Sequence, residues 1–552
     1  VLGDTAWDVP LRHTSFALPY RVRSFGPAEG APRRVLVLNA GTGSEVHQAL
    51  MEGSRSVTAV VRNPDLLYTL ERLAKRDSSL LTIYEQPGVE VVRQEPRGFL
   101  YRETGPYDVI MVPPLGGVTG AAAAMQAVHE DHMLTLEGIG AVLERLSPEG
   151  LLCLTTWLDI PPRRILKLTA LLAGALERTA WAADSATEDH LTVIGSWNAA
   201  TVVLSRRPWS TAERARTRQF AELEGFDLWF PSGGEQATTF HLLADTTLVA
   251  DLQLLARGRS DPEELASPFH LRPSTDDRPF FHYFLTLRAL PIMRDVLGTA
   301  GLMLAEWGYV LLWITLALLV VGGAGLILLP LWLTRGVRVS LTGDAAERPP
   351  LSLFYFAAIG CGFMLVEIML IQRLVLVLGD PVYSAAAVIT ALLVFAGVGS
   401  WISQRPAAAR AGMLPGAVVL MILLLVMLLG CIALFGSGWA GLAKGGRFIL
   451  VIVSLIPLAL VMGVFFPTGV RWLDTGQASH LIPWAWGING FASVVTTPVA
   501  TIVALSLGFR VVALLAAGCY LLAAGVSWRW WSSRQTNHPM PINSPSENSH
   551  QG

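Results

Sequence analysis

An α/β, doubly wound domain followed by an α-helical membrane domain of about seven spans is the fold class that this sequence predicts. Three observations predict it. The run at 351–373, LSLFYFAAIGCGFMLVEIMLIQR, is almost unbroken in its apolar character, and further runs follow it at the roughly 20-residue length that crosses a bilayer core. Hydrophobic residues make up 52% of the 552 and mean hydropathy is +0.47, too high for a purely soluble chain, while the charged residues crowd into the first 300. Near the start of that charged half, an apolar run ends in a glycine turn and gives way to a helical pattern, the opening unit of a parallel sheet.

That first strand is Arg34 to Asn39, RVLVLN, with the turn at Ala40-Gly41-Thr42-Gly43-Ser44-Glu45. A continuous apolar run marks a strand buried on both faces, and glycine supplies the tight turn. A second strand, Val57 to Val61, leads through Asn63-Pro64 into a helix; Val89 to Val92 is a third. Tyr107 to Val112, YDVIMV, is a fourth, broken by Pro113-Pro114-Leu115-Gly116-Gly117. A helix over Leu134 to Leu146, a turn at Ser147-Pro148-Glu149-Gly150 and a strand over Leu151 to Thr155 repeat the unit. Strands alternating with helices at this spacing argue for a mostly parallel sheet. Residues 209–264 read as polar and helical, and Pro268 to Phe284 as a turn-rich linker to the membrane.

Seven spans follow, at 308–333, 353–372, 383–403, 413–436, 447–468, 484–507 and 511–528. Trp307, Trp313, Trp332, Trp472, Trp528, Trp530 and Trp531 fall near span ends, where indole rings favour the interface. The polar tail from Ser532 reads as disordered. Domain limits on this reading are 1–208, 209–300 for a helical extension and linker, 301–531 for the membrane part, and 532–552 for the tail. With seven crossings the tail lies opposite the α/β domain. Its side carries Arg335, Arg338, Arg348, Arg405, Arg410, Arg471, Arg529 and Arg534, against Arg294, Arg373, Lys444, Arg447 and Arg510 on the other, so arginine bias favours a cytoplasmic tail. The chain opens at Val1 without a methionine or a leader pattern, which is the expectation for a fragment or a processed chain.

Net charge of −2 gives no nucleic-acid signal, and only Lys75, Lys167 and Lys444 are lysines. Cys153, Cys361, Cys431 and Cys519 imply no disulfide framework, and no metal cluster is expected. His129-Glu130-Asp131-His132 matches no strong zinc spacing and reads as polar residues before a helix. Asp276-Asp277-Arg278 reads as a salt-bridged hinge. Glu367 is different, since a carboxylate inside a span is costly and points either to proton or cation handling or to simple interhelical hydrogen bonding; Arg373 and Asn489 are its candidate partners. Gly487, Asn489 and Gly490 read as a close-packing helix face.

Arg34 to Ala49, Val57 to Pro64, Glu95 to Leu100, Tyr107 to Val112 and Leu143 to Thr155 resemble, in order, the successive motifs of spermidine synthases, aminopropyltransferases with a methyltransferase-like Rossmann fold. GFMLVEIMLIQR, LGDPVYSAAAV, FFPTGVRWL and PWAWGINGFASVV, with the junction TDDRPFF at 275–281, look like the bacterial membrane-fused members of that family. The resemblance implies a Rossmann-like, spermidine synthase-like extramembrane domain in the bacterial inner membrane. It also implies a cofactor site at Gly41, Gly43 and Glu95, for decarboxylated S-adenosylmethionine, or S-adenosylmethionine, if the protein is active. The chain departs from the family's pattern at decisive positions. The acid that would accept the ribose hydroxyls aligns with Val61, and Glu95-Pro96-Arg97 stands for Asp-Gly-Arg. The catalytic aspartate aligns with Pro113, which has no side-chain base. Losing the ribose anchor costs roughly 1 to 3 kcal/mol, and losing the base roughly 100- to 10,000-fold in rate.

The expectation is therefore a ligand-free scaffold with no catalytic residue and no cofactor. It would act as a structural or assembly subunit of a larger membrane complex, with the lipid bilayer and other subunits as partners. The alternatives are an active membrane-bound aminopropyltransferase or related S-adenosylmethionine-type transferase, and a transporter that uses Glu367.

Overall fold

The structure is a computed structural model that describes residues 8–25, 34–76, 83–115, 127–159, 161–183, 185–231, 239–241, 247–258, 265, 267–286, 288, 289, 291, 295, 307–334, 349–404, 414–475 and 478–537. The chain divides into two compact units, Val1–Leu312 with Ser437–Leu442, and Trp313–Gly436 with Ala443–Gly552.

The first unit is built on one eight-stranded sheet: β1 (Arg34–Leu38), β2 (Ser56–Val61), β3 (Val89–Arg93), β4 (Tyr107–Leu115), β5 (Leu146–Trp157), β6 (Leu191–Gly195), β7 (Ala199–Ser205) and β8 (Asp227–Phe230). Their order is β3-β2-β1-β4-β5-β7-β6-β8. The pairs from β3 to β5 are parallel, whereas β7 pairs antiparallel with β5 and β6, and β8 antiparallel with β6. This is a Rossmann-like half with a mixed edge. Helices α1 (Asp8–Arg12), α2 (Leu18–Val22), α3 (Ser44–Met51), α4 (Pro64–Arg76), α5 (Pro96–Arg102), α6 (Leu136–Leu143), α7 (Arg164–Leu176), α8 (Thr211–Glu224) and α9 (Leu248–Ala256) complete the unit.

The apolar runs become the sheet because they are buried on both faces, as parallel strands require. Val35, Val37, Val57 and Ala59 enter one core, Leu36, Leu38, Val60 and Ile110 the other. Three sequence expectations change. Ser147-Pro148-Glu149-Gly150 is no turn but a bulge inside β5, where pairing skips from Tyr107↔Leu146 to Val109↔Leu151. The helix expected over Leu134 to Leu146 spans Leu136–Leu143 only, because Thr135 caps its start with its hydroxyl on the Gly138 N–H. The region 209–264 is not helical throughout, since it contributes β8 to the sheet edge.

Pro268 to Phe284 is likewise more than a linker. Leu271, Phe281 and Phe284 are all 2% exposed or less and belong to the larger core cluster.

The second unit is helical. Among the described residues, seven helices are long and apolar enough to cross a membrane: Trp307–Leu333, Leu351–Leu378, Pro381–Ser403, Leu414–Gly436, Lys444–Thr475, Ser479–Leu507 and Phe509–Arg529. The first comprises α10 (Trp307–Gly323), a π-helical turn at Ala324–Leu328 and α11 (Leu329–Thr334). The others are α12 (Pro349–Leu378), α13 (Pro381–Ser403), α14 (Leu414–Ala440), α15 (Lys444–Thr475), α16 (Ile482–Leu507) and α17 (Phe509–Asn537). The sequence places all seven, but α12 and α15 outrun the expected spans by several residues. The polar stretch from Ser532, expected as disordered, begins as a continuation of α17 to Asn537; residues 538–552 lie outside the described residues.

Glycine sets the closest helix approaches in this unit. A side chain on Gly399 would collide with the Leu460 carbonyl, and one on Gly463 with the Ala396 carbonyl, so α13 and α15 touch backbone to backbone.

Candidate functional site

The carboxyl ends of β1, β2 and β4 are where an open α/β sheet binds ligands. After β1 the chain turns through Asn39 at φ 57, Gly41 at φ 54 and Gly43 at φ 94, all left-handed. Gly43 donates to the Ala40 carbonyl at 2.9 Å, closing the turn before α3. Tyr84 covers this turn, its hydroxyl donating to the Ala40 and Gly41 carbonyls at 3.0 and 2.7 Å. A Cβ on Gly43 would overlap Ile83. Packing against the chain's own Ile83 and Tyr84 therefore explains Gly43 without a ligand.

Val61 closes β2 at 1% exposure, inside the apolar cluster with Val46 and Val57. It offers neither an acceptor nor an accessible surface. Pro113 lies half-buried in β4, within the stretch where pairing with β5 shifts between Val112 and Leu115. Gly116 and Gly117 lie outside the described residues.

Glu95 is the N-cap of α5, its carboxylate accepting from the Gly98 N–H at 2.8 Å. Arg97 is fully committed inside the unit. Its guanidinium donates to Tyr101 (3.0 Å), the His132 carbonyl (3.0 Å) and Asp276 (3.1 Å), at 3% side-chain exposure. Asp276 also accepts from Thr135 at 2.7 Å, and its N–H donates to Glu137 at 2.8 Å. The Asp276-Asp277-Arg278 segment is thus tied to α5 and α6 through Arg97, which sequence reading did not connect to it.

One acid near the glycine turn went unassigned in the sequence. Glu45, 5% exposed in the first turn of α3, has its carboxyl raised to about 7 by burial. Burial and then the Glu45 charge also raise the Tyr84 phenol and the Cys153 thiol.

No protein-family model matches the chain, and no curated protein sequence matches it. Solved structures similar to it include a spermidine synthase in complex with the transition-state analogue AdoDATO, at 13% identity and a TM-score of 0.28, covering 45% of this chain and 75% of that one. A spermidine synthase from Thermotoga maritima is 14% identical with a TM-score of 0.28, covering 43% and 71%. A SAM-dependent methyltransferase from Agrobacterium tumefaciens is 16% identical with a TM-score of 0.25, covering 36% and 63%. The strand order and pairing above define the fold independently of these likenesses.

The His129 to His132 run does not gather ligands. Asp131 accepts from the Met133 and Leu134 N–H groups at 3.0 and 3.3 Å, and His132 lies 3.4 Å from Glu130. Among the described residues no group of three His, Cys, Asp or Glu is placed to hold a metal.

In the membrane unit, the structure does not bring Glu367, Arg373 and Asn489 together. Asn489 donates to the Phe356 carbonyl at 3.0 Å, and Ser493 to the Gly360 carbonyl at 3.4 Å. The Arg373 guanidinium lies 5.3 Å from the Phe509 ring centre. Glu367 is half-buried on α12 and makes no hydrogen bond or ion pair among the described residues. Gly487 packs against Leu331, in keeping with a close-packed helix face, while Gly490 has open space beside it.

Proposed function

We propose that this chain is a multi-pass membrane protein whose α/β unit has lost aminopropyl-transfer chemistry and serves as a structural or assembly subunit of a larger membrane complex. Pro113 carries this reading. A transfer from a sulfonium donor to an amine needs a base to take the amine proton, and proline at the aligned position has none. The buried, apolar Val61 and the Tyr84 and Ile83 side chains packed on the glycine turn support the same reading, because the first offers no acceptor and the others already cover the turn. The unit keeps a continuous core while its ligand-facing chemistry is spent on itself, as expected of a scaffold.

The test is direct. Purified protein should give no aminopropyl transfer from decarboxylated S-adenosylmethionine to putrescine, and calorimetry should give at best millimolar nucleoside binding. Purification under native conditions should yield stoichiometric partner subunits. Micromolar nucleoside binding with turnover would overturn the reading.

One observation favours a second reading, transport through Glu367. A carboxylate in an apolar span costs several kcal/mol unless it is protonated or paired, and a purely structural role would normally supply a partner. Asn489 and Ser493 bond the Phe356 and Gly360 carbonyls across α12 and α16, while Glu367, further along α12, takes no part in these bonds. Thr497 and Thr501 extend the polar row of Asn489 and Ser493 at four-residue spacing.

A further inference from the structure

The amino end of the sheet carries a second polar constellation, where β6 begins and β7 ends. Leu191 pairs with Leu204, and Leu151 at the start of the paired part of β5 with Ser205, so this corner lies at the opposite end of the strands from the glycine turn. His190, the residue before β6, is fully buried. Its carbonyl accepts from the Ser205 N–H at 2.8 Å and from the Trp209 indole N–H at 3.0 Å, and its ring centre lies 5.9 Å from that of Trp181. Backbone and ring are both held in place.

The imidazole makes two bonds of its own. Nδ1 lies 2.8 Å from the Ser205 carbonyl, which can only accept, so Nδ1 carries a proton. In the neutral ring Nε2 then presents a lone pair, and the Ser185 Oγ lies 2.5 Å from it. Burial lowers the His190 pKa, against the Ser205 bond and the Asp189 charge, so the ring is neutral at neutral pH and the serine hydroxyl is the donor. A hydroxyl donating to an imidazole whose other nitrogen is fixed by an acceptor is the arrangement that activates a serine nucleophile. Ser185 is half-buried where its base is sealed, and the neighbouring Ala183 and Ala186 are small and exposed.

We propose that Ser185 is a nucleophile with His190 as its general base, at a site that takes acyl groups from small activated esters. Oγ bonds to the ester carbonyl carbon as its proton passes to Nε2; the carbon–oxygen bond to the alcohol breaks, and the alcohol leaves with that proton. Water, deprotonated by the same Nε2, then releases the acid and restores the Ser185 hydroxyl. The site shares no residue with Gly43, Val61 or Pro113 and does not depend on the loss of aminopropyl transfer.

A fluorophosphonate is the probe, since a serine Oγ displaces its fluoride and the new phosphorus–oxygen bond persists. The full chain in detergent is treated with it, and peptide mass spectrometry locates the adduct. The expected result is an adduct at Ser185, and hydrolysis of p-nitrophenyl acetate that is lost in Ser185→Ala. Because protonation removes the Nε2 lone pair, the labelling rate should fall in acid with a midpoint below the ordinary histidine value of about 6.5. His190→Gln should slow labelling at least about 100-fold, and its thermal midpoint shows whether it folds. The pH profile of the wild-type chain tests the base even where that variant does not. Absence of a Ser185 adduct in folded wild-type protein, or labelling of Ser185 with no acid titration, overturns the proposal and leaves the serine as a structural partner of a buried histidine. Neither result touches the aminopropyl-transfer assay.

Discussion

Arg97 commits its whole guanidinium to architecture. One guanidinium joins α5, the loop before α6 and Asp276, so its loss breaks a largely buried ion pair and a bond to a buried carbonyl together and leaves Thr135 as the link between them. Arg97→Ala should lower stability by about 3 kcal/mol in denaturant titration, while Tyr84→Phe, which removes the hydroxyl covering the glycine turn, should cost about 1 kcal/mol. The titrating residues set a pH optimum. His270 and His282 are pushed down to about 3 by burial and then by neighbouring cations, so the unfolded chain takes up their protons first as pH falls below about 6.5, and stability falls with it. Glu213 is held at about 2, burial being outweighed by Arg23, Arg207 and the Ser210 N–H, so its contribution is likewise lost in acid. Glu45 acts oppositely. Raised to about 7 by burial, it is protonated in the folded state while the unfolded carboxyl is ionised, so its contribution is lost as pH rises toward 7. Thermal midpoints should therefore peak between about pH 6 and 7 and fall most steeply below about pH 4.3, where both histidines and Glu213 act together. Glu45→Gln should flatten the neutral-side decline, and a midpoint that keeps rising toward pH 3 would contradict the buried-histidine account.

At the scale of elements, α12 and α16 make the contact most open to experiment. Asn489 satisfies a backbone carbonyl across the pair, so Asn489→Leu should weaken helix association by about 1 to 2 kcal/mol. Glu367 makes no such bond, so Glu367→Leu should leave the thermal midpoint unchanged or raise it. Stable Glu367→Gln protein that loses ion- or polyamine-dependent flux in proteoliposomes would establish the transport reading; unchanged flux would remove it. The elements differ in how legible they are. β1, β2 and β4 can be read because a parallel strand buried on both faces leaves a continuous apolar run. Ser147-Pro148-Glu149-Gly150 misleads because proline and glycine signal a turn locally, whereas here they bulge a strand that the sheet holds on both sides. The four residues of β8, DLWF, are too few to show a period and follow a charged helix. Glu95 and Gly43 are visible as motif positions, but their roles as a cap and as space for Ile83 depend on neighbours distant in sequence. Lys167 carried a usable signal, being one of three lysines in the chain and set in the apolar helix RILKLTALLAGAL, yet its partners at 280 and 283 only the tertiary fold reveals.

For the whole molecule, sidedness decides which small molecules the α/β unit meets. If all seven candidate spans among the described residues cross, the α/β unit and the tail after the last span lie on opposite sides, and the arginines flanking the spans then choose between the two orientations. Two of the residues counted for the α/β side are engaged within the helical unit: Arg447 is 5% exposed and donates to the Val377 carbonyl at 3.2 Å, and Arg373 lies against Phe509. Arg471 on the tail side is engaged likewise, donating to the Ser403 carbonyl at 2.6 Å; leaving out all three, Arg335, Arg338, Arg348, Arg405, Arg410, Arg529 and Arg534 stand on the tail side against Arg294, Lys444 and Arg510. The positive-inside bias favours a cytoplasmic tail, and we propose on that ground an α/β unit on the outer face, away from the cytoplasmic pool of S-adenosyl compounds. In intact cells, a cysteine replacing Trp197, which is 73% exposed at the β6–β7 turn, should react with a membrane-impermeant thiol reagent. One placed in the 538–552 tail should react only after the membrane is permeabilised. Cys153 is buried and its thiol is raised by burial, so it adds little background. The reverse pattern would put the α/β unit in the cytoplasm, restore its access to sulfonium cofactors, and make the aminopropyl-transfer assay the experiment on which the scaffold reading stands or falls.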